Sequence, residues 1–407
     1  MPSSSTPARL LVRRLALGAV SLVGAVALLM TRPWSPHSSW RQMRIFDPAV
    51  RAQNFRDMDG LFPTHGVHRG PTAHVFAVEE RPLPATYAFR GEARPVDAFL
   101  DKTTTTGLLV LEGETIVAER YFRGAGVETP FTSWSVAKSV VSLLIGISRA
   151  EGRFGDLGAD LAHYAPGLAG SDYGRVPLRD ALTMSSGIHF SEEYDDRLTD
   201  IYTLFARILY LRESAMHYVA SRPAVAAPGT LFHYASCDTF ALGLAVRSAT
   251  GVSLASYLQE RLWQPLGMEY DASWNAESDD GAELAFCCLN ARLRDYAKIG
   301  RLVARGGEWD GKQIVPAAWL AESFRVDPVR APGKLPGTSW GYGYQWWLPP
   351  GDRGTVLAAG VWGQFIYVDA RRGVVIVKTS VDPDFEPNSD ETIALFDGIA
   401  DSLRGSP

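Results

Sequence analysis

The sequence of this 407-residue chain predicts an α/β plus all-α fold: an antiparallel sheet flanked by helices, with an inserted helical subdomain. One observation is a hairpin pattern at residues 107–111 and 115–122, matched by further strand-like stretches between residues 342 and 379. Another is the stretch from about 155 to 290, which is mostly helical in pattern. Its candidate helices are residues 178–185, 200–212, 238–248 and 254–263.

Composition indicates a globular protein with a substantial core. The chain is 46% hydrophobic and 21% charged, enough to bury one or two domains. Its net charge of −5 gives no basic surface, so we expect no nucleic-acid partner. The three cysteines, two of them adjacent at Cys287 and Cys288, predict no disulfide framework. His65 and His68 have metal-like spacing, but they lie in a glycine-rich stretch without a nearby acidic partner, so we expect no metal there. We also expect no cofactor.

The N-terminus predicts export. Arg9, Arg13 and Arg14 precede an uncharged apolar run at residues 15–30. At about 1.5 Å per residue the run spans roughly 24 Å of a roughly 30 Å hydrocarbon core, so a cleaved signal peptide and a retained inner-membrane anchor both stay open. We therefore divide the chain into residues 1–40, a signal or anchor with its linker, and a domain at 41–407 that contains the helical subdomain. The arginines should stay cytoplasmic, which places that domain in the periplasm or another extracytoplasmic compartment of the cell envelope.

Ser135 and Lys138 form the most informative pair. Residues i and i+3 share one face of a helix, and the apolar run at 140–147 predicts a helix here. Burial would lower the pKa of Lys138, and its neutral amine could then take the proton of the serine hydroxyl. Taken alone, the spacing favours a helix start with a solvated lysine.

A second motif is Tyr234-Ala235-Ser236, about a hundred residues later. Tyr234 is the only one of fifteen tyrosines followed two residues on by Ser or Asn. We expect Ser236 to cap the helix at 238–248 and Gly251 to end it. A phenol near a serine and a lysine could pass a proton to a leaving group. A core tyrosine beside a capping serine is the alternative for an isolated motif.

Together these motifs resemble the serine β-lactamase and penicillin-binding protein superfamily, on the side of class C β-lactamases, esterases of that fold and 6-aminohexanoate-dimer hydrolase. Further matching stretches are residues 182–187 (LTMSSG), 265–268 (PLGM) and 341–347 (GYGYQWW). The resemblance implies Ser135 as nucleophile, Lys138 as base and Tyr234 as proton relay. Ser236 stands where many relatives carry Asn.

The third family motif, Lys-Thr-Gly or His-x-Gly, is where the chain departs. Lys378-Thr379-Ser380 ends a strand just before the C-terminal helix, whereas the family motif comes two strands earlier. We interpret residues 358–360 (Ala-Ala-Gly) as the counterpart, with Ala358 in the basic position. The N–H groups of Val361 and Ser135 would then form an oxyanion hole. Ser236, Gly360 and Trp362 are expected to contact substrate.

The resemblance implies an exported serine hydrolase that cleaves a small-molecule amide or ester through an acyl-enzyme. The alternative is a membrane-anchored penicillin-binding or peptidoglycan-sensing protein with little turnover. Tyr194 occupies the stretch in which 6-aminohexanoate-dimer hydrolase carries a substrate-contacting tyrosine, so we expect it at the scissile amide. Lacking a cation at Ala358, the site should disfavour penicillins. The motifs leave open the natural substrate and the oligomeric state.

Overall fold

The computed structural model describes residues 6–31, 34–35, 37–326, 340–351 and 353–403. The strands are β1 (Thr64–Val67), β2 (Ala77–Val78), β3 (Thr86–Phe89), β4 (Glu92–Pro95), β5 (Thr105–Glu112), β6 (Thr115–Tyr121), β7 (Phe131–Thr132), β8 (Ala272–Asn275), β9 (Leu289–Ala291), β10 (Glu308–Trp309), β11 (Lys312–Gln313), β12 (Gly341–Tyr342), β13 (Trp347–Leu348), β14 (Val356–Gly360), β15 (Gln364–Asp369) and β16 (Val374–Ser380). The α-helices are α1 (Thr6–Thr31), α2 (Ser39–Met43), α3 (Arg51–Asn54), α4 (Met58–Leu61), α5 (Val96–Lys102), α6 (Val136–Ala150), α7 (Leu161–Tyr164), α8 (Leu178–Leu182), α9 (Asp200–Ala206), α10 (Ala215–Ala220), α11 (Ser236–Thr250), α12 (Leu254–Leu258), α13 (Leu293–Ala304), α14 (Ala317–Ser323) and α15 (Ser389–Ser402).

The main sheet has eight strands in the order β12-β13-β14-β15-β16-β5-β6-β2. Its neighbours pair antiparallel except β2 and β6, which are parallel. Successive side chains of a strand point to opposite faces, so the paired Leu109 and Val377 pack on the side of α6, and the paired Val110 and Ile376 on the side of α15. Burial on both faces makes these strands apolar almost throughout, and confirms the predicted sheet with helices on both sides.

Helix α6 carries the first motif into the interior. Its first thirteen residues are buried, and only Arg149 and Ala150 at its end are exposed. A helix that is apolar nearly all round is stable only when other elements surround it. Its N-terminus lies against the end of β14, which brings the first and third motifs together.

The helical part is shorter and less regular than its sequence predicts. The predicted helices at 200–212 and 254–263 change after α9 and α12 into π-helical turns, Arg207–Leu211 and Gln259–Trp263. The helix predicted at 178–185 ends at Leu182, because Met184 takes a left-handed φ of 53°. Gly251 ends α11 with a φ of 74°, as predicted.

A second sheet, with the order β1-β8-β9-β7, was not predicted. Its strands have two to four residues, too few for a clear alternation of apolar and polar residues. They also pair over long distances, as Thr64 does with Asn275. The chain before β1 also contributes to the core, because Ile45, Phe55 and Leu61 are buried in it.

The predicted apolar run at 15–30 lies in α1. Within the part of the chain that the structure describes, no helix combines the length and apolarity needed to cross a membrane. The division into a signal or anchor at 1–40 and a domain at 41–407 stays a prediction.

Candidate active site

Ser135 lies at the turn that starts α6. Trp134, just before it, has a left-handed φ of 42°, and Ser135 occupies the N-cap position. The turn is fixed to β9, because the Ser133 N–H donates to the Leu289 carbonyl at 2.8 Å and the Leu289 N–H donates to Ser133 Oγ at 3.0 Å. Ser135 is therefore held at the positive end of a buried helix, where negative charge is stabilised.

Lys138 reaches Ser135 as the spacing predicts. Its Nζ lies 2.9 Å from Ser135 Oγ, 2.9 Å from Ser236 Oγ and 3.1 Å from the carbonyl oxygen of Phe286. Only 1% of Lys138 is exposed, and burial lowers its pKa to about 8, against the raising effect of the nearby Glu192 charge. A lysine with this pKa has an appreciable neutral fraction near neutral pH, as a general base requires.

Tyr234 lies beside the pair. Its ring centroid is 4.8 Å from Lys138 Nζ, and the ring stacks on Trp347 at 5.5 Å. Burial raises the pKa of Tyr234 well above its usual value, the charge of Glu192 raises it further, and a hydrogen bond with Ser135 acts in the opposite direction. The phenol therefore keeps its proton at neutral pH and can give it to a leaving group.

Ser236 corrects one prediction. It does not cap a helix, because α11 begins at Ser236 itself and the N-cap is Ala235. Its hydroxyl instead donates to Glu192 Oε1 at 2.6 Å and accepts from Lys138. Capping residues and site residues have the same chemistry, so sequence could not separate the two roles.

The end of β14 completes the site. A Cβ added to Gly360 would lie 2.6 Å from the carbonyl oxygen of Ser133 and 3.0 Å from the backbone nitrogen of Ser135, so this strand passes the nucleophile with no space for a side chain. Val361 follows directly and lines the cleft. Ala358 is buried in the core on the side of α6, whereas Ala359 borders the cleft.

Trp362 lies in the turn after β14, and Lys378 lies close to the same turn. Trp362 stacks on Phe46 at 5.6 Å between ring centroids, and the guanidinium of Arg51 lies 4.2 Å from its ring. Lys378 is buried in β16 and lines neither cavity; its Nζ donates to Ser380 Oγ at 3.2 Å. Residues 378–380 are thus separate from the cleft, in agreement with the interpretation of residues 358–360 as the third motif.

Two cavities meet at Ser135. The smaller has a volume of about 260 Å³ and the larger about 380 Å³; aromatic rings line both, and Tyr234 lines only the larger. Both are lined by Ser135, Glu192, Tyr194, Asp195, Val361, Phe385 and Glu386. Aromatic rings specific to the smaller cavity are Phe46, Trp134, Tyr202, Phe205, Phe286 and Trp362. The described lining residues include several carboxylates and no lysine or arginine, so both cavities disfavour anions.

Tyr194 lines both cavities, as expected for a residue over the cleft. Its hydroxyl donates to Glu192 Oε1 at 2.5 Å, and its ring packs edge-on against Phe385 at 5.9 Å. A hydrogen bond to a substrate nitrogen would require that proton to turn away from Glu192. The predicted contact with the scissile amide stays a prediction.

Glu192 is the site residue that the sequence did not indicate. It is 8% exposed and accepts hydrogen bonds from the Ser236 N–H at 2.5 Å, the Ser236 hydroxyl at 2.6 Å and the Tyr194 hydroxyl at 2.5 Å. Glu193 follows it, and nothing in a pair of adjacent glutamates tells which one turns inward.

The described residues contain one disulfide, and it joins neighbouring residues instead of forming a framework between distant segments. The sulfur atoms of Cys287 and Cys288 are bonded to each other, and Cys287 lines the smaller cavity. Sequence counting searches for bridges between distant segments, and a bond between neighbours closes no such loop. The disulfide lies next to the catalytic lysine, because the carbonyl of the preceding residue, Phe286, accepts a hydrogen bond from Lys138.

Comparison with known proteins identifies the family and the fold. The sequence model of the β-lactamase family matches residues 93–396. A 6-aminohexanoate-dimer hydrolase of Paenarthrobacter ureafaciens is 28% identical over 374 residues, which is 90% of each chain. A structure from Bacillus anthracis, provisionally named 6-aminohexanoate-dimer hydrolase, superposes with a TM-score of 0.80 at 27% identity, covering 89% of this chain and 97% of the other. The octameric penicillin-binding protein homologue of Pyrococcus abyssi shares the fold, with a TM-score of 0.55 and 18% identity over 74% of each chain.

Proposed function

This chain belongs to the β-lactamase family and is a serine hydrolase; from that premise we propose that it cleaves amide bonds through an acyl-enzyme on Ser135. The observation that carries the proposal is the 2.9 Å contact between Ser135 Oγ and the buried Nζ of Lys138. The preference for amides rests on the 6-aminohexanoate-dimer hydrolase relative, whose named substrate contains an amide.

In the first half-reaction, neutral Lys138 takes the proton of Ser135 while Oγ attacks the carbonyl carbon. The oxyanion would be held by the N–H groups of Ser135 and Val361, at the N-terminus of α6. Tyr234 then donates its phenol proton to the leaving nitrogen, and the C–N bond breaks. An amine leaving group needs this proton much more than an alkoxide or phenolate does.

In the second half-reaction, a water molecule replaces the leaving group. Tyr234, now deprotonated, takes a proton from that water, the hydroxide attacks the acyl carbon, and Ser135 leaves with the proton held by Lys138. The enzyme returns to its starting state, and the products are a carboxylic acid and an amine. Lys138 and Tyr234 each act once as acid and once as base.

Labelling with a fluorophosphonate tests the proposal. Mass spectrometry should find the adduct on the peptide that contains Ser135, and Ser135→Ala should remove it. Ser253→Ala is the matched control, since Ser253 caps α12 by accepting from the Ser256 N–H at 3.1 Å. An adduct on Ser253 would refute the assignment. A fluorescent penicillin followed over time tests the alternative function, because a sensor would keep its label indefinitely.

We also propose that the catalytic domain works outside the cytoplasm. The support is the arginine-flanked apolar run at 15–30, which is typical of export segments. Fractionation of cells that produce the full chain should recover the amidase activity in the envelope or periplasm, and recovery in the cytoplasm alone would reject this location.

A further inference from the structure

We propose that Glu192 is a positioning residue: it orients Ser236 and Lys138 for proton transfer, and its charge stabilises the ammonium that forms on Lys138 during acylation. The inference rests on the proposed acyl-enzyme mechanism. Glu192 itself contacts neither Ser135 nor, in the described structure, Lys138 by a hydrogen bond; it acts through Ser236 and through its charge.

The hydrogen bonds of Glu192 fix the direction of the Ser236 proton. A carboxylate can only accept, and Glu192 accepts from three donors, the Ser236 N–H, the Ser236 hydroxyl and the Tyr194 hydroxyl. With its single proton given to Glu192, Ser236 Oγ can take part in its 2.9 Å contact with Lys138 only as an acceptor.

This direction determines where the lone pair of Lys138 points. A neutral amine has two N–H donors and one lone pair, and Lys138 Nζ has three close oxygen partners. The Phe286 carbonyl and Ser236 Oγ must both accept, so they use the two N–H groups. The remaining lone pair is left for the Ser135 hydroxyl, which is the arrangement that deprotonates the nucleophile.

Charge gives Glu192 its second effect. Acylation creates an ammonium at Lys138, a site with 1% exposure, where an unbalanced charge is strongly disfavoured. Other titratable groups face this network: Cys237 and Tyr234 face Lys138, and Tyr194, Tyr234, Cys237, Asp238 and Tyr342 face Glu192. Burial raises the pKa values of the tyrosines and of Cys237 well above neutral, so they stay uncharged.

Asp238 is the member of this set that could contribute charge, apart from the carboxylates Asp195 and Glu386 that line the cleft. Burial raises its pKa to about 7, against hydrogen bonds from Ser186 and Tyr173. It is coupled to Glu192 but is not among the groups that shift Lys138. Asp238→Asn is therefore the variant that separates its titration from that of the catalytic base.

The test is the pH dependence of kcat/KM for an amide substrate in Glu192→Gln. The rate at its plateau should fall about 10- to 100-fold, less than the 10²–10⁴ that a general base contributes. The midpoint of the acid limb should move to lower pH by roughly one unit or more, because the Lys138 ammonium loses a stabilising charge. Glu192→Asp should keep the midpoint near that of the parent. When Asp238→Asn is combined with Glu192→Gln, the midpoint should shift as it does in Glu192→Gln alone.

A residue that only supports the fold would lower the rate without moving the midpoint, so an unchanged or raised midpoint in a folded Glu192→Gln variant overturns the inference. If that variant does not fold, Ser236→Ala decides: it keeps the charge and removes the hydroxyl, so the rate should fall with the midpoint near the parent value. A Ser236→Ala variant as active as the parent would overturn the orienting role. Absence of a Ser135 adduct in the parent would instead reject the acyl-enzyme mechanism itself.

Discussion

The backbone of Gly360 passes so close to Ser133 that a Cβ at position 360 would lie 2.6 Å from the Ser133 carbonyl oxygen. This contact joins the end of β14 to the turn that presents the nucleophile. The two atoms nearest to that Cβ position belong to the backbone, so no flexible side chain could move aside to make room for it. The distance between the two proposed oxyanion donors, Ser135 and Val361, depends on it.

We first predict that Gly360→Ala lowers kcat by about 10²–10³, the loss typical of one missing oxyanion donor, with a smaller change in KM. Steady-state kinetics on an anilide substrate measures this. Gly126→Ala is the control, because a Cβ there meets no atom within 4 Å. Equal activity of the two variants would show that the β14 contact is not catalytic.

The second prediction concerns Lys138. Lys138→Arg should be as inactive as Lys138→Met, since an arginine keeps the charge but does not deprotonate at working pH. In the parent enzyme, the acylation rate should rise with pH through a midpoint near the Lys138 pKa of about 8 and level off above it, because the neutral amine is the active form. Stopped-flow acylation at several pH values measures both. A substantial acylation rate in the arginine variant would mean that Lys138 acts only through its positive charge and not as a base.

Third, Tyr194→Phe should lower amide turnover while leaving ester turnover nearly intact. A phenol near the scissile nitrogen assists a leaving amine, and an activated ester does not need that help. The comparison requires an amide and an ester with the same acyl group. Tyr270→Phe is the matched control, because Tyr270 lines neither of the two cavities. Equal losses on both substrates would mean that Tyr194 acts through Glu192 alone.

Fourth, neutral or cationic amides and simple esters should be better substrates than penicillins. The penicillin carboxylate would meet Asp195 and Glu386 in the cleft, and Ala358 provides no cation. The pKa of Glu386 is raised by burial and by the charges of Asp195 and Glu193, a sign of dense negative charge. Penicillin kcat/KM should increase in Glu386→Gln. Faster penicillin turnover than that of a matched neutral amide would contradict the prediction.

Fifth, Lys378 should make stability depend on pH. Burial lowers its pKa from 10.5 to about 8, so between these values the unfolded chain binds more protons and the free energy of unfolding rises with pH. Lys378→Met should flatten this rise and stabilise the protein at pH 7 by about 1–3 kcal/mol. Denaturant unfolding at pH 7 to 10.5 measures it, with the exposed Lys312→Met as control. If the free energies of unfolding of the parent and of Lys378→Met changed with pH in parallel, burial would not disfavour the charged form of Lys378.

Sequence predicted best where a local pattern determines the structure. The hairpin at 107–111 and 115–122 became β5 and β6, joined at Gly113 with a φ of 61°. Lys138 lies next to Ser135 because the helix itself places i and i+3 together. Tyr234 could be chosen because it combined a local motif with the expected order along the chain.

Local sequence patterns did not predict the contacts between segments that are distant along the chain. Glu192 meets Ser236 across 44 positions, and the parallel pairing of β2 with β6 depends on how a whole segment packs. The helices at α9 and α12 were predicted too long because π-helical turns preserve a nearly helical spacing of apolar residues. Each failure reflects tertiary packing, which no single stretch of sequence contains.

The placement of Tyr234 on the larger cavity alone gives the reaction a direction. Under the proposed mechanism, a leaving amine protonated by Tyr234 would depart through that cavity, while the acyl half would stay bound in the smaller one. The amine is then the first product released, and the space it vacates admits either water or another amine. Added amines that fit this space should compete with hydrolysis and yield new amides, so the same geometry makes the enzyme a candidate catalyst for amide synthesis at high amine concentration.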